Sequence, residues 1–600
     1  MLSHSYLEKL AALLSVIGSA WAKTVTTTNG TIEGGKCDGY DVNSFLAIPY
    51  AQPPVGDLRF AAPEPYNTTY DGVLNATLKA PNCPQFTTGG ELVEGAFSED
   101  CLYVDIWVPA SATENSKLPV KVWLFGGSNK GGSISMALYD GCPSARDSIV
   151  VSVNYRLGPL GFLAYEDAGL RGNYGIQDQL LALNWVQKEI SAFGGDPDKV
   201  LLFGQSAGAY DTYVLSSLPQ APSLFRAAAM MSSGGHDSPN LAWTKPFYSE
   251  YISGVGCDLD QPDSITKCLR STSITAMNKT WQAENSAGPD VPTVGTYYHG
   301  NGIGSAWLAV VDGEVVPENP GKVGSRVPAI FGNTANDGSI DVLTQYGTGI
   351  VNITEADYNT YLSYSFGSLA STVKKTYPWS AFKDSPYPGF TAMTTISTDY
   401  SEVCTNYRGL KLAAKNGINA WAYNFNHTST CAWGFDVPQS DEILAILGAT
   451  HTSDIPYVFG QTKGLPRPDG NCSFTKAEDA ISDFMVEAWT SMAANGQPGN
   501  SSQWPVWTPS KSEGITINNV VDIGPLDYKA CEFWDQILDA ALALDANGTT
   551  TNASTVTASK SATPTMTTSP TSPPTSSSNS FWAPGGIIFY LSLFVTILVI

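Results

Sequence analysis

The stretch that most constrains this chain is Gly204-Gln205-Ser206-Ala207-Gly208, a G-x-S-x-G pentapeptide. Before it, residues 199–203 read K-V-L-L-F, a short apolar run suited to a buried strand. After it, residues 209–218 can run as a helix. A strand that turns sharply into a helix at a serine is the setting that gives this motif meaning. The turn is strained, and glycine neighbours without a Cβ let the Ser206 hydroxyl stand clear of the backbone. The helix that starts behind the serine points its free N–H groups toward any negative charge that develops there. Plain turn chemistry would explain the pentapeptide alone, but not its flanks.

Apolar runs at 120–125, 148–153, 200–203, 227–231 and 328–331 end in glycine-rich or polar turns. Such unbroken runs suit parallel strands covered on both faces. Residues 178–188, between two of them, have helical spacing. Alternating strands and helices predict a doubly wound α/β sheet, with its site beyond the carboxyl ends of the strands. The turns after Phe125, Phe203 and Phe331 are the places to look.

Several further segments carry a resemblance. They are F-L-A-I-P-Y-A-Q-P-P-V-G-D-L-R-F at 45–60, E-D-C-L-Y-V-D-I-W-V at 99–108 and N-Y-R-L-G-P-L-G-F at 154–162. G-N-Y-G-I-Q-D-Q at 172–179 and A-F-G-G-D-P at 192–197 complete the set. With these the chain resembles the type-B carboxylesterases, including secreted fungal members, from about residue 45 to about 460. The resemblance implies an α/β-hydrolase fold, with a large, mostly parallel central sheet and helices on both faces.

A serine is a weak nucleophile without a base. Beyond the N-terminal leader, histidines stand at 236, 299, 427 and 451. His427 lies inside the sequon of Asn426, which predicts a surface position; His236 and His299 read as loop residues. His451, in G-A-T-H-T-S-D-I-P-Y-V-F-G at 448–460, matches the family segment that carries the base. A third group must orient the imidazole. The chain order Ser, Asp/Glu, His points to Asp337 in G-N-T-A-N-D-G-S, with Asp341 a nearby competitor. The family normally has glutamate here, so this loop must sit closer to His451.

The oxyanion hole needs backbone N–H donors. Ala207, after the nucleophile, is one. By family position Gly127 and Ser128 of F-G-G-S-N-K-G-G at 125–132 are the others. The family pattern has a third glycine at Ser128 and often an aromatic at Asn129, so this turn departs from it and removes an aromatic from the pocket wall. Phosphate cradling is a poor alternative, since no G-K-[ST] follows. The constellation implies a two-step acyl transfer on a small-molecule or lipid ester. It calls for no metal or cofactor.

Two further features narrow the substrate. The 84–98 loop is short and has no tryptophan, unlike a lipase lid or a cholinesterase choline site. Gln205 is neutral where cholinesterases have glutamate. A general esterase of modest-sized esters is expected, with two alternatives: a triacylglycerol lipase, or a non-catalytic surface adhesion protein on the same fold.

Residues 1–22 read as a signal peptide, with an apolar run from Leu10 and an A-x-A site at 20–22. The catalytic domain is then 23–545. Ten cysteines and ten N-x-[ST] sequons suit an extracellular glycoprotein. The resemblance implies the disulfides Cys83–Cys101 and Cys257–Cys268. Six cysteines remain, which can pair in fifteen ways; the pairs entertained are Cys37–Cys142, Cys404–Cys431 and Cys472–Cys531. Residues 546–580 are rich in Ser, Thr and Pro and read as a disordered stalk. The apolar end at 581–600 has the layout of a GPI-anchor signal, with a membrane-spanning helix as the alternative. A net charge of −23 with only 14 % charged residues argues against nucleic acid as a partner.

Overall fold

A computed structural model describes residues 23–87, 95–286, 307–434 and 440–546. The expected signal peptide, most of the stalk, the hydrophobic C-terminus, His299 and part of the 84–98 loop lie outside these residues.

The strands of the main sheet are β1 (Thr24–Thr27), β2 (Gly30–Lys36), β3 (Val42–Pro49), β4 (Val73–Ala76), β5 (Tyr103–Pro109), β6 (Leu118–Leu124) and β7 (Ile149–Val153). They continue as β8 (Gly195–Gln205), β9 (Ala227–Met231), β10 (Ala329–Thr334), β11 (Ala420–Phe425), β12 (Glu513–Ile517) and β13 (Val521–Pro525). The order across the sheet is β1-β2-β3-β5-β7-β6-β8-β9-β10-β11-β12-β13, with β4 paired to β2. From β7 to β12 every neighbouring pair is parallel. Antiparallel pairs close both ends. β7, β9 and β10 are buried at every position, as their unbroken apolar runs require. Helices α1 (Tyr174–Glu189) and α2 (Ala207–Ser217) follow the alternation predicted from sequence, and a further long helix, α3 (Lys476–Asn495), adds to them. This is the α/β-hydrolase fold.

Some of the motif segments act as braces. Arg156 and Asp178 form a fully enclosed two-pronged pair, with Nε to Oδ2 at 2.8 Å and Nη2 to Oδ1 at 2.7 Å. Arg59 grips Glu99 in the same way and donates from Nη1 to the carbonyls of Leu269, Arg270 and Thr272. Paired geometry of this kind holds a charge where water is absent. These motifs therefore fix how the crossovers lie on the sheet.

Five disulfides are present. Cys83–Cys101, Cys257–Cys268 and Cys37–Cys142 agree with expectation. The other two are Cys404–Cys531 and Cys431–Cys472, which corrects the expected Cys404–Cys431 and Cys472–Cys531. The reason is packing. Cys404 opens a helix that lies against the C-terminal helix Cys531–Ala546, and both belong to a hydrophobic cluster on the Asp337 side of the sheet. Cys431 instead follows β11 toward the short strand at Cys472.

Most described sequons sit on the surface, with Asn67, Asn75, Asn352, Asn426, Asn471 and Asn500 exposed. Asn29 is different: it is buried, and its amide donates to the carbonyls of Tyr66 and Thr68, so this sequon has no room for a glycan. Among the described residues no helix is long and apolar enough to cross a membrane.

Candidate active site

The central strands stop together. Gly204 is in register with Leu124 of β6 and with Met230 of β9. Ser206 then leaves the sheet with φ 56° and ψ −128°, and its N–H donates to Met231 O at 2.9 Å. That backbone is strained for any residue with a side chain. The strain is held by close packing. A Cβ on Gly208 would lie 2.1 Å from Leu124 O, and one on Gly204 would lie 2.3 Å from Gly208 O. Both motif glycines are thus required by contact, while the left-handed backbone itself falls on Ser206. The first bonds of α2 run from Ala209 and Tyr210 N–H to Ser206 O. The Ala207 amide lies ahead of them, among the unpaired donors at the start of a helix.

Asp337 and His451 come from distant loops that are stitched together. Asn336 forms a bridge with Thr450, and its N–H donates to Ala449 O at 2.9 Å. This places Asp337 Oδ1 at 2.5 Å from His451 Nδ1. The other oxygen, Oδ2, accepts from Ser232 Oγ and from the Thr334 N–H, both at 2.8 Å. The bridge holds Asp337 within reach of the ring. Asp341, the competitor, accepts from Ser397 Oγ at 2.8 Å and makes no bond to the ring. Burial works against charging His451, but the charge and hydrogen bond of Asp337, with Asp341 and Asp454 adding, carry its pKa above the ordinary 6.5. Burial pushes Asp341 and Asp454 each up to about 6.

No local sequence signal indicates what faces the far side of the ring. The Gln205 amide Nε2 lies 3.0 Å from His451 Nε2. With the Nδ1 proton shared with Asp337, Nε2 carries a lone pair and accepts that bond. No hydrogen bond joins Ser206 Oγ to His451 among the described residues. The structure joins Asp337 to His451, and Gln205, next to Ser206 in the chain, occupies the imidazole nitrogen that a serine base would use.

The glycine turn after β6 packs against the serine: a Cβ on Gly126 would lie 2.9 Å from Ser206 Cβ. Gly127 has φ 112°, Ser128 57° and Asn129 54°, so two residues with side chains hold left-handed backbone in succession. Lys130 and Gly131 N–H both donate to Gly127 O. Asn129 is fully buried and turns inward, onto Asp211 and Tyr155. It is a strut of the turn.

The other described histidines serve elsewhere. His427 is buried, against the surface position expected of it: Asn426 is exposed, but alternation along the chain turns the next side chain inward, onto Glu478 at 3.1 Å. For His236, burial and the Arg408 charge push the ring down to about 3, so it stays neutral. Among the described residues no group of side chains has the make-up of a metal site.

A serine on a strained strand-to-helix turn, a buried acid–imidazole pair and a glycine turn beside them define a serine hydrolase of the α/β-hydrolase class. The sequence matches the carboxylesterase family over residues 22–534, and the chain belongs to that family. It is a carboxylic-ester hydrolase. It is 30 % identical to a cholinesterase of Mus musculus over 555 residues, covering 85 % of this chain and 86 % of the relative. It is 32 % identical to an acylcarnitine hydrolase of Mus musculus over 550 residues, covering 85 % and 90 %. An acetylcholinesterase-1 of Trittame loki is 29 % identical over 554 residues, covering 86 % and 94 %.

Proposed function

We propose that this protein is a secreted, surface-tethered serine esterase working through Ser206, His451 and Asp337. The observation that carries this reading is the contact between Asp337 and His451 Nδ1, 2.5 Å long, beside the strained Ser206. Asp337 keeps the proton on Nδ1 and leaves Nε2 as the base. Gln205 swings off Nε2 when substrate enters, and Nε2 takes the Ser206 proton as Oγ attacks the ester carbonyl. The oxyanion is met by the N–H groups of Gly127, Ser128 and Ala207. The imidazolium protonates the leaving alcohol, and water, deprotonated by the same ring, then releases the acid from the acyl-enzyme.

The expected substrates are modest-sized esters. The three relatives carry names that refer to choline or carnitine. Neutral Gln205 and the short 84–98 loop argue against quaternary-ammonium selectivity in this chain. A panel of p-nitrophenyl esters of rising chain length, run on the protein and on Ser206→Ala, tests the assignment. Short chains should be preferred, and the variant should lose nearly all activity; equal rates would remove Ser206 from the mechanism.

Secretion and anchoring rest on the leader at 1–22, the sequons, the disulfides and the apolar 581–600 segment behind the 546–580 stalk. Treatment of intact cells with a phosphatidylinositol-specific phospholipase should release the protein, and retention would favour a membrane-spanning anchor.

A further inference from the structure

Asp211 is a buried carboxylate with no cation paired to it among the described residues. It lies in the second turn of α2, the helix that begins at the serine. Its side chain is fully enclosed. Oδ1 accepts from Asn129 Nδ2 at 3.2 Å, and Oδ2 accepts from Gln179 Nε2 at 2.6 Å. Gln179 comes from α1, so the acid ties two helices to the turn. No ion pair at this residue occurs among the described residues. Burial pushes its pKa up to about 7, and the two amides oppose that rise. An uncompensated buried acid is costly, and a neutral side chain could fill the same space at less expense.

The partner it selects is informative. Asn129 is the last of three successive positive-φ residues in the turn, and it is gripped on three sides. Its Nδ2 is on Asp211, its Oδ1 lies 3.3 Å from the Tyr155 hydroxyl, and its carbonyl accepts from Gly158 N–H at 2.6 Å. Tyr155 also donates to Phe125 O, at the start of the turn, at 2.7 Å. Left-handed backbone at residues with a Cβ persists only where the surroundings enforce it. Asn129 is one residue from Ser128 and two from Gly127, the amides assigned to the oxyanion.

We propose that Asp211 is a positioning residue which, through Asn129, holds the backbone N–H groups of Gly127 and Ser128 in place for the oxyanion. This rests on the esterase reading above. It also accounts for the departure from a three-glycine turn. A glycine there has conformational freedom, whereas Ser128 and Asn129 are fixed from behind by a hydrogen-bonded carboxyl anchor that belongs to the nucleophile's own helix. The oxyanion donors and the serine thereby share one rigid body.

The test uses Asp211→Asn, Asn129→Gly and the double variant. Glycine accepts φ 54° without strain, so Asn129→Gly removes the strut and spares the fold. The readouts are kcat and KM on p-nitrophenyl acetate, thermal midpoint, and hydrogen–deuterium exchange of the 125–132 peptide. Misplaced oxyanion donors should lower kcat by about 10- to 100-fold and leave KM within about twofold. Exchange at 125–132 should rise in both single variants, and the double variant should be no slower than the slower single. A lowered midpoint with kcat within about threefold of wild type overturns the proposal, as do fully additive losses in the double variant. If Asp211→Asn does not fold, Asn129→Gly alone decides by the same criteria. If the wild-type protein shows no Ser206-dependent hydrolysis, the esterase reading fails separately. Exchange at 125–132 then decides: faster in the variants supports the anchor, and unchanged overturns it.

Discussion

Asp337 divides its two oxygens between function and framework: Oδ1 lies 2.5 Å from His451 Nδ1, while Oδ2 is held by Ser232 Oγ and the Thr334 N–H. The carboxylate therefore cannot rotate away from the ring without losing two buried bonds. Asp337→Asn keeps the shape but presents an amide to Nδ1 and stabilises the wrong tautomer. Steady-state kinetics should show kcat reduced by about 10⁴-fold, as in other serine triads. Asp337→Glu should lose about 10- to 100-fold, because the bridge between Asn336 and Thr450 leaves no space for the extra methylene.

Gln205 occupies the His451 nitrogen that the proposed mechanism assigns to Ser206. Gln205→Glu places a carboxylate beside the same nitrogen and stabilises the imidazolium. The acid limb of its pH–rate profile should move to higher pH than in the wild type. An unmoved limb would show that Gln205 does not contact the ring during turnover.

His451 must be neutral to act as a base, and its folded pKa is raised above 6.5. Activity should therefore rise with pH through a midpoint above that of an ordinary imidazole and plateau on the alkaline side. A kcat/KM profile from pH 5 to 9 checks this, and a midpoint below 6 would contradict the hydrogen bond to Asp337.

Glu478 is a structural counterpart of this site. Burial opposes its charge, but bonds from His427, Thr430 and Thr475 reverse that and hold its pKa far below the usual range. A depressed carboxylate stabilises the fold above its unfolded pKa, and that contribution is lost as pH falls from about 4 toward the folded value. Glu478→Gln should cost about 3 kcal/mol at neutral pH in urea unfolding, and the variant should lose less stability on acidification than the wild type.

The Cys404–Cys531 disulfide closes a loop of 127 residues and ties the helix after the Asp337 region to the C-terminal helix. Replacing both cysteines by serine should cost about 4–5 kcal/mol on the chain-entropy account. A lowered thermal midpoint with unchanged KM in the folded enzyme is the expected result.

Much of the fold was legible in the sequence because its signals are local. A buried parallel strand needs an unbroken apolar run, and the elbow needs glycine on both sides of a strained serine; both requirements can be read from adjacent residues. The order Ser206, Asp337, His451 proposed for the triad is also readable, since each lies in a turn that follows or flanks a recognisable run. What the sequence left open depends on contacts between distant segments. Cys404 pairs with Cys531 because two helices pack together, and nothing in cysteine spacing encodes that. His427 is buried because its neighbour's exposure says nothing of the opposite face. The roles of Gln205, Asn129 and Asp211 came only with the tertiary structure. Local sequence fixes which backbone shapes are affordable, but a hydrogen bond between groups eighty residues apart exists only once the sheet has set the distance between them.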